Sequence, residues 1–186
     1  MICVNKENHT SDRKGASTGA MHYKGNRDRE KFWETFIRLR EDPLIQELKK
    51  YPNHYISNLY DHSSRVALCA YDISRRLYLD IDGKSLATGA MLHDYYLYQA
   101  RHNEQIRTKD HWFGHPDTAL KNAEKEFQLS DLEKNIITSH MWPLTFRHFP
   151  RSREAVLVCL ADKICAFGEG VLKRNYVRMQ RKQRRQ

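Results

Sequence analysis

The stretch that most constrains the fold is LATGAMLHDYYLY, residues 86–98, which carries the adjacent pair His93-Asp94. Its small and apolar residues predict a buried helix that another helix can approach closely. Burying a neutral polar group without a partner costs roughly 2–7 kcal/mol, and burying a charge costs more. A divalent metal ion removes this cost, because neutral imidazole and ionised carboxylate are both good ligands. The pair therefore indicates a buried metal site.

Other His and Asp residues recur on predicted apolar faces on both sides of this pair. They are His62, His115, His140 and Asp162. Any one of them alone has a simpler explanation, since a single histidine on an apolar face is more often a hydrogen-bonded core residue than a ligand. The ordered series H…HD…H…H…D between residues 62 and 162 favours one shared site over six independent buried polar groups.

Helical periodicity predicts how two of these positions face the core. A helix from about Ser57 to Leu79 has the core face His62, Val66, Cys69, Ile73 and Leu77, with Ser63 and Ser64 pointing elsewhere. The next helix, capped by Asp82 or Ser85, carries His93 and Asp94. Adjacent helical residues lie about 100° apart, so these two can flank one ion, or the carboxylate can bridge two.

Helix-start signals predict where His115, His140 and Asp162 lie in their helices. Pro116 suits a first helical position, so His115 is expected to begin a helix after a loop at residues 99–114. The run SDLE, residues 130–133, is a capping box that starts a helix ending at His140. Ser152 caps the last core helix, in which Asp162 lies among nonpolar residues and needs a cation or several donors.

These elements predict an all-α fold, a compact bundle of about six to eight helices. Asp28 is expected to cap the first helix, with Phe32, Phe36 and Leu39 on its buried face. Residues 1–27 are predicted to be disordered or loosely attached, residues 28–170 to form the helical domain, and residues 171–186 to form a basic tail.

Composition narrows the class of protein. No apolar run approaches the roughly 20 residues of a membrane span, and the first residues lack a secretory signal. The four cysteines show no CxxC spacing, which favours reduced thiols and a cytoplasmic location. No glycine-rich nucleotide-binding loop is present. Of the net charge of +9, residues 171–186 supply seven Lys or Arg and no acid. This tail is either a solvated helix end or a weak, salt-sensitive contact for nucleic acid.

Five motifs in order carry a family resemblance: DHSSRVA, GAMLHDYYLY, HPDTALKNA, ITSHMWPLT and VLVCLADKICA. Across residues 52–170 the chain resembles the HD superfamily of metal-dependent phosphohydrolases, and within it the little-characterised bacterial single-domain hydrolases. The resemblance implies an all-helical HD-type fold that binds one or two divalent metals. It also implies hydrolysis of phosphomonoesters, phosphodiesters or nucleotide anhydrides.

The resemblance also assigns roles to individual residues. It implies His62, His93, Asp94 and Asp162 as metal ligands, while His115 and His140 complete a second metal site or touch substrate. The binuclear HD-GYP phosphodiesterases carry HDxGK, but here Leu97 stands in place of that lysine and no GYP follows. A cyclic dinucleotide substrate is therefore disfavoured.

The expected chemistry is attack on a phosphoryl group by a metal-activated water, with Asp94 as the bridging carboxylate. Arg65 and Lys163 are candidates to neutralise phosphate oxygens, or else are solvated surface charges. The His/Asp set suits Mn, Fe, Co, Ni or Mg more than structural zinc. A small, nucleotide-like phosphorylated substrate is expected. The alternatives are a catalytically idle module that binds metal and nucleotide, and a structural protein with buried His/Asp networks.

Overall fold

A computed structural model describes residues 15–53, 57–96 and 109–183 of the chain. Within these ranges the fold is all-α, as predicted. The helices are α1 (Gly15–Glu41), α2 (Pro43–Gln46), α3 (Leu59–Arg76), α4 (Gly83–Leu92), α5 (Lys109–Glu126), α6 (Asp131–Ser139) and α7 (Arg153–Gln183). A 3₁₀ turn spans Glu47–Lys50, and the two-residue strands β1 (Pro52–Asn53) and β2 (Ser57–Asn58) pair antiparallel.

Helix α4 lies at the centre of the bundle. It packs against α1, α3, α6 and α7, and its residues 85–92 are all buried. A Cβ on Gly83 would overlap the carbonyl oxygen of Asp28, and a Cβ on Gly89 would lie 2.7 Å from Ile136 Cβ. Glycine therefore lets α1 and α6 approach α4 closely. The end of α4 is consequently held in the core from several sides.

Helix α1 begins earlier than predicted, at Gly15 rather than after Asp28. Residues 15–27 contain no proline, so the helix can extend backwards once its packed part has formed. The predicted face is confirmed, since Phe32, Phe36 and Leu39 are buried. Residues 1–14 lie outside the described ranges, and the predicted domain boundaries stay a prediction.

The predicted core face of α3 is correct in its first turns and wrong at its end. His62 and Val66 are fully buried, but Leu77 follows the last turn and is 61% exposed. Ser63 and Ser64, expected to point elsewhere, are also buried. The reason is that α3 packs against both α4 and α7, so it buries a wider face than one stripe.

Three predicted caps, at Asp82, Ser130 and Ser152, are confirmed by their hydrogen bonds, whereas Asp28 lies inside α1 and does not cap it. Asp82 accepts from the backbone N–H of Ser85 at 3.1 Å and starts α4. The capping box of Ser130 and Glu133 starts α6. At the start of α7, Ser152 Oγ accepts from the N–H of Ala155 at 3.1 Å. These local bonds fix where the helices that carry site residues begin.

The predicted start of α5 is wrong. The helix begins at Lys109, so Pro116 lies inside it and His115 is not its cap. Proline removes the hydrogen bond of its own nitrogen, but the helical bonds on either side can persist. The predicted loop is therefore helical over 109–114, and its residues 99–108 lie outside the described ranges.

Helix α7 continues without a break to Gln183, through most of the predicted basic tail. A nucleic-acid contact by this segment stays a prediction. Among the described helices, none is long and apolar enough to cross a membrane.

Candidate metal centre

His93 and Asp94 follow the last turn of α4 and both point into the core. His93 is fully buried and Asp94 is 6% exposed. The Nδ1–H of His93 donates to the carbonyl oxygen of Ala90 at 2.7 Å. This bond fixes the ring tautomer, so that Nε2 carries a lone pair toward the centre.

Two side chains from other helices meet this pair on one side. His62, near the start of α3, has its Nε2 3.1 Å from Asp162 Oδ1 and 3.9 Å from Asp94 Oδ2. His93 Nε2 lies 3.6 Å from Asp94 Oδ2 and 3.8 Å from Asp162 Oδ1. We call His62, His93 and Asp162, with this oxygen of Asp94, the first half of the centre.

Two histidines face the other oxygen of Asp94. His115 Nε2 on α5 and His140 Nε2 at the end of α6 each lie 3.5 Å from Asp94 Oδ1, and they lie 2.9 Å from each other. The Nδ1–H of His140 donates to the carbonyl oxygen of Ile137 at 2.6 Å. We call His115 and His140, with Asp94 Oδ1, the second half. The structure thus brings together all six residues that the sequence singled out.

The hydrogen-bond pattern fits a cation between these groups. His93 Nε2 and Asp94 Oδ1 are buried, and within the described residues neither has a hydrogen-bond partner. A lone pair of His93 facing two carboxylate oxygens is unfavourable unless a positive charge lies between them. Ligand atoms of His62, His93 and Asp94 lie within 4.8 Å of one another, as do those of Asp94, His115 and His140. Asp94 belongs to both groups, so one carboxylate faces both sets of ligand candidates.

The two halves differ in their electrostatics. In the first half, burial alone would lower the pKa of His62, but hydrogen bonds to Asp162 and Glu169 and the charge of Asp94 raise it to about 10. In the second half, burial and the neighbouring histidines His93 and His115 lower the pKa of His140 to about 3. A buried histidine beside carboxylates takes up a proton, whereas one among other imidazoles stays neutral.

The two carboxyl groups stay ionised in the core. Burial would raise the pKa of Asp94, but the surrounding histidines, His93 first, lower it to about 2. Burial likewise opposes ionisation of Asp162, and its hydrogen bond with His62 outweighs this and lowers its pKa. Ionised carboxylate oxygens can bind a metal ion without first losing a proton.

The two predicted phosphate contacts, Arg65 and Lys163, both have protein partners. Arg65, with a side chain 46% exposed, pairs with Glu169 through an Nη2–Oε1 distance of 2.7 Å. The ammonium group of Lys163 donates to the carbonyl oxygens of His140 and Cys159 at 2.9 and 3.1 Å. This placement favours a role for Lys163 in joining α6 to α7.

Sequence reasoning missed Glu169, which is 4% exposed and accepts a hydrogen bond from His62 Nδ1 at 3.1 Å. It follows Asp162 by seven residues, two helical turns, and therefore lies on the same face of α7. An acid at this spacing within an apolar stretch was the available signal.

One family model, the HD domain, matches residues 59–166, more than half of the chain. The chain belongs to the HD domain family. Proteins with an HD domain are generally metal-dependent hydrolases. The resemblance to the superfamily is therefore confirmed, and all six residues of the centre lie inside the matched range. Searches of curated proteins and of solved structures found no match to this chain.

Proposed function

We propose that this HD domain hydrolyses a phosphoester or a nucleotide phosphate in a metal-dependent reaction. The observation that supports this proposal best is that the buried atoms His93 Nε2 and Asp94 Oδ1, inside a cluster of imidazoles and carboxylates, have no hydrogen-bond partner among the described residues. A buried polar atom without a hydrogen-bond partner is costly, and a bound ion is one of the partners that removes this cost.

In this proposal His62, His93 and Asp162 hold one divalent ion, and His115 and His140 hold a second. The two oxygens of Asp94 face opposite halves of the centre, so this carboxylate would be shared by both ions. Bound divalent ions would supply charge neutralisation for a phosphoryl group and a bound water of lowered pKa. All the proposed donors are nitrogen or oxygen, a set that suits Mn, Fe, Co, Ni or Mg.

The proposed substrate is a small phosphorylated molecule, nucleotide-like in its phosphate chemistry. Arg65 is the proposed contact for a phosphate oxygen at the rim, since its side chain is 46% exposed and its residue lies one turn after His62. A guanidinium group suits the geometry of phosphate. Lys163 remains a weaker candidate, because two carbonyl oxygens accept hydrogen bonds from its ammonium group.

The test combines metal analysis with a substrate panel. Protein purified without chelator is expected to contain a divalent metal by elemental analysis, and to hydrolyse members of a panel of phosphomonoesters, phosphodiesters and nucleotides with added Mn²⁺. Asp94→Ala removes the residue that both halves share, so we expect it to abolish metal retention and turnover. The matched control is His148→Ala, because His148 is paired with Asp117 at 2.8 Å outside the cluster.

The outcomes separate the candidate functions. Metal and turnover lost in Asp94→Ala but kept in His148→Ala support hydrolysis. Tight nucleotide retention without turnover of any panel member would instead identify a catalytically idle binding module. Absence of metal from the untreated protein, together with no uptake of added Mn²⁺, would identify a structural network of buried His and Asp.

A further inference from the structure

Glu169 lies beside the proposed metal centre but outside the part of the chain that matches the HD family, which ends at residue 166. Its carboxylate is buried, and its Oε1 accepts a hydrogen bond from His62 Nδ1 at 3.1 Å. Burying a carboxylate without hydrogen-bond donors is energetically costly, so the groups that contact Glu169 indicate its role.

Three donors use both oxygens of this carboxylate. Arg65 donates to Oε1 through Nη2 at 2.7 Å and through Nε at 3.3 Å. Ser57 donates to Oε2 through its hydroxyl at 3.0 Å. The orientation of Glu169 is therefore fixed independently of His62, by one charged group and one hydroxyl.

Helix α7 contacts the His62 ring at both of its nitrogens. Asp162 Oδ1 lies 3.1 Å from Nε2, and Glu169 Oε1 lies 3.1 Å from Nδ1. The two acids are two turns apart on one helix, about 10 Å along its axis, so the ring lies between them. Glu169 thereby holds the nitrogen that faces away from the centre.

The other oriented histidines are held differently. His93 and His140 each donate Nδ1–H to a carbonyl oxygen three residues earlier in the chain. A carboxylate acceptor makes a stronger hydrogen bond and makes the imidazole a more basic ligand. His62 is thus the ligand candidate whose orientation and donor strength come from a distant part of the sequence.

We propose that Glu169 is a positioning residue for the metal centre: it fixes His62 with the proton on Nδ1 and presents Nε2 to the ion of the first half. The inference rests on the proposed metal site and extends it beyond the family match. Arg65 and Ser57 act through Glu169 by holding its carboxylate.

The test is a titration of metal-free protein with Mn²⁺ by calorimetry, comparing wild type with Glu169→Leu and Glu169→Gln. Loss of an outer hydrogen-bond partner typically weakens metal binding about 10–100-fold, and we expect a loss of that size in Glu169→Leu. Glu169→Gln keeps an acceptor without its charge, so a smaller loss is expected. If Glu169→Leu does not fold, Glu169→Gln alone decides the comparison.

Glu154→Gln is the matched control. Glu154 is also a buried glutamate of α7, but it accepts from the backbone N–H of Asp82 at 2.7 Å, away from the centre. If replacing a buried glutamate of α7 weakened metal binding through a general loss of packing, Glu154→Gln would weaken it as well. If Glu169 positions His62, only Glu169→Leu and Glu169→Gln weaken metal binding. Wild-type affinity in both Glu169 variants would overturn the inference. No Mn²⁺ binding by the wild type would instead overturn the metal site itself.

Discussion

The two halves of the metal centre share Asp94 but are built from different chemistry. The first half has a second carboxylate, Asp162, and its His62 is held by a further acid, Glu169. Among the described residues, the second half offers the imidazoles of His115 and His140 and the other oxygen of Asp94. A divalent cation is attracted more strongly by two carboxylates than by one. We therefore expect the first half to bind its ion more tightly.

The largest effect should come from removing one histidine from each half in turn. We expect His93→Ala to abolish metal retention and turnover, because the first half then loses the atom that faces both carboxylates. His140→Ala should remove only the second ion, so that the protein keeps one ion per chain while turnover falls. Elemental analysis after gel filtration, with circular dichroism to check folding, measures the difference. Equal metal loss in both variants would remove the distinction between the halves.

A smaller effect on metal binding is expected from a substitution in the packing between α4, which precedes Asp94, and α6, which precedes His140. In Gly89→Ala the new methyl group meets Ile136 at the contact of α4 with α6, the helix that ends at His140. Overpacking of this kind costs about 1–3 kcal/mol of unfolding free energy. Urea unfolding measures it, and Mn²⁺ titration should show the second ion weakened more than the first.

Gly168→Ala on α7 is the control for that substitution, since a Cβ there meets no atom of the described residues within 4 Å. Alanine in an open helical position should raise stability by roughly 0.5–1 kcal/mol. If Gly89→Ala were equally stabilising, the close approach of α4 and α6 would not be a constraint on the centre.

The pH dependence of metal binding distinguishes the two halves most directly. The pKa of His62 is raised to about 10 in the metal-free protein, so an ion in the first half must displace its proton. We expect affinity there to rise by up to about tenfold per pH unit between pH 7 and 9. The lowered pKa of His140, about 3, adds no such dependence to the second half. Calorimetry in buffers of different ionisation enthalpy counts the protons released.

The raised pKa of His62 also makes the stability of the metal-free protein depend on pH. A pKa raised from 6.5 to about 10 on folding contributes stability that is fully present below pH 6.5 and is lost as pH rises through 10. Chelator-treated protein should therefore melt at a lower temperature at pH 10 than at pH 7. A melting temperature that rises over this interval would contradict protonation of His62.

Local signals predicted the parts of this fold that depend on neighbouring residues. The capping box at Ser130 and the cap at Ser152 start α6 and α7 where expected, because each cap is formed within four residues of chain. The signal at Pro116 failed, because a favourable first position for proline does not exclude a place inside a helix that begins at Lys109.

The sequence by itself determined the residue types and faces of the centre, since helical periodicity is a property of the local chain. It also determined the family, through motifs in a fixed order. Only the tertiary structure decided which oxygen of Asp94 faces which histidines, and that Glu169 contacts both His62 and Arg65. Glu169 follows His62 by 107 residues. A contact across that separation arises when α3 packs on α7, and no local pattern specifies the depth and rotation at which two helices pack.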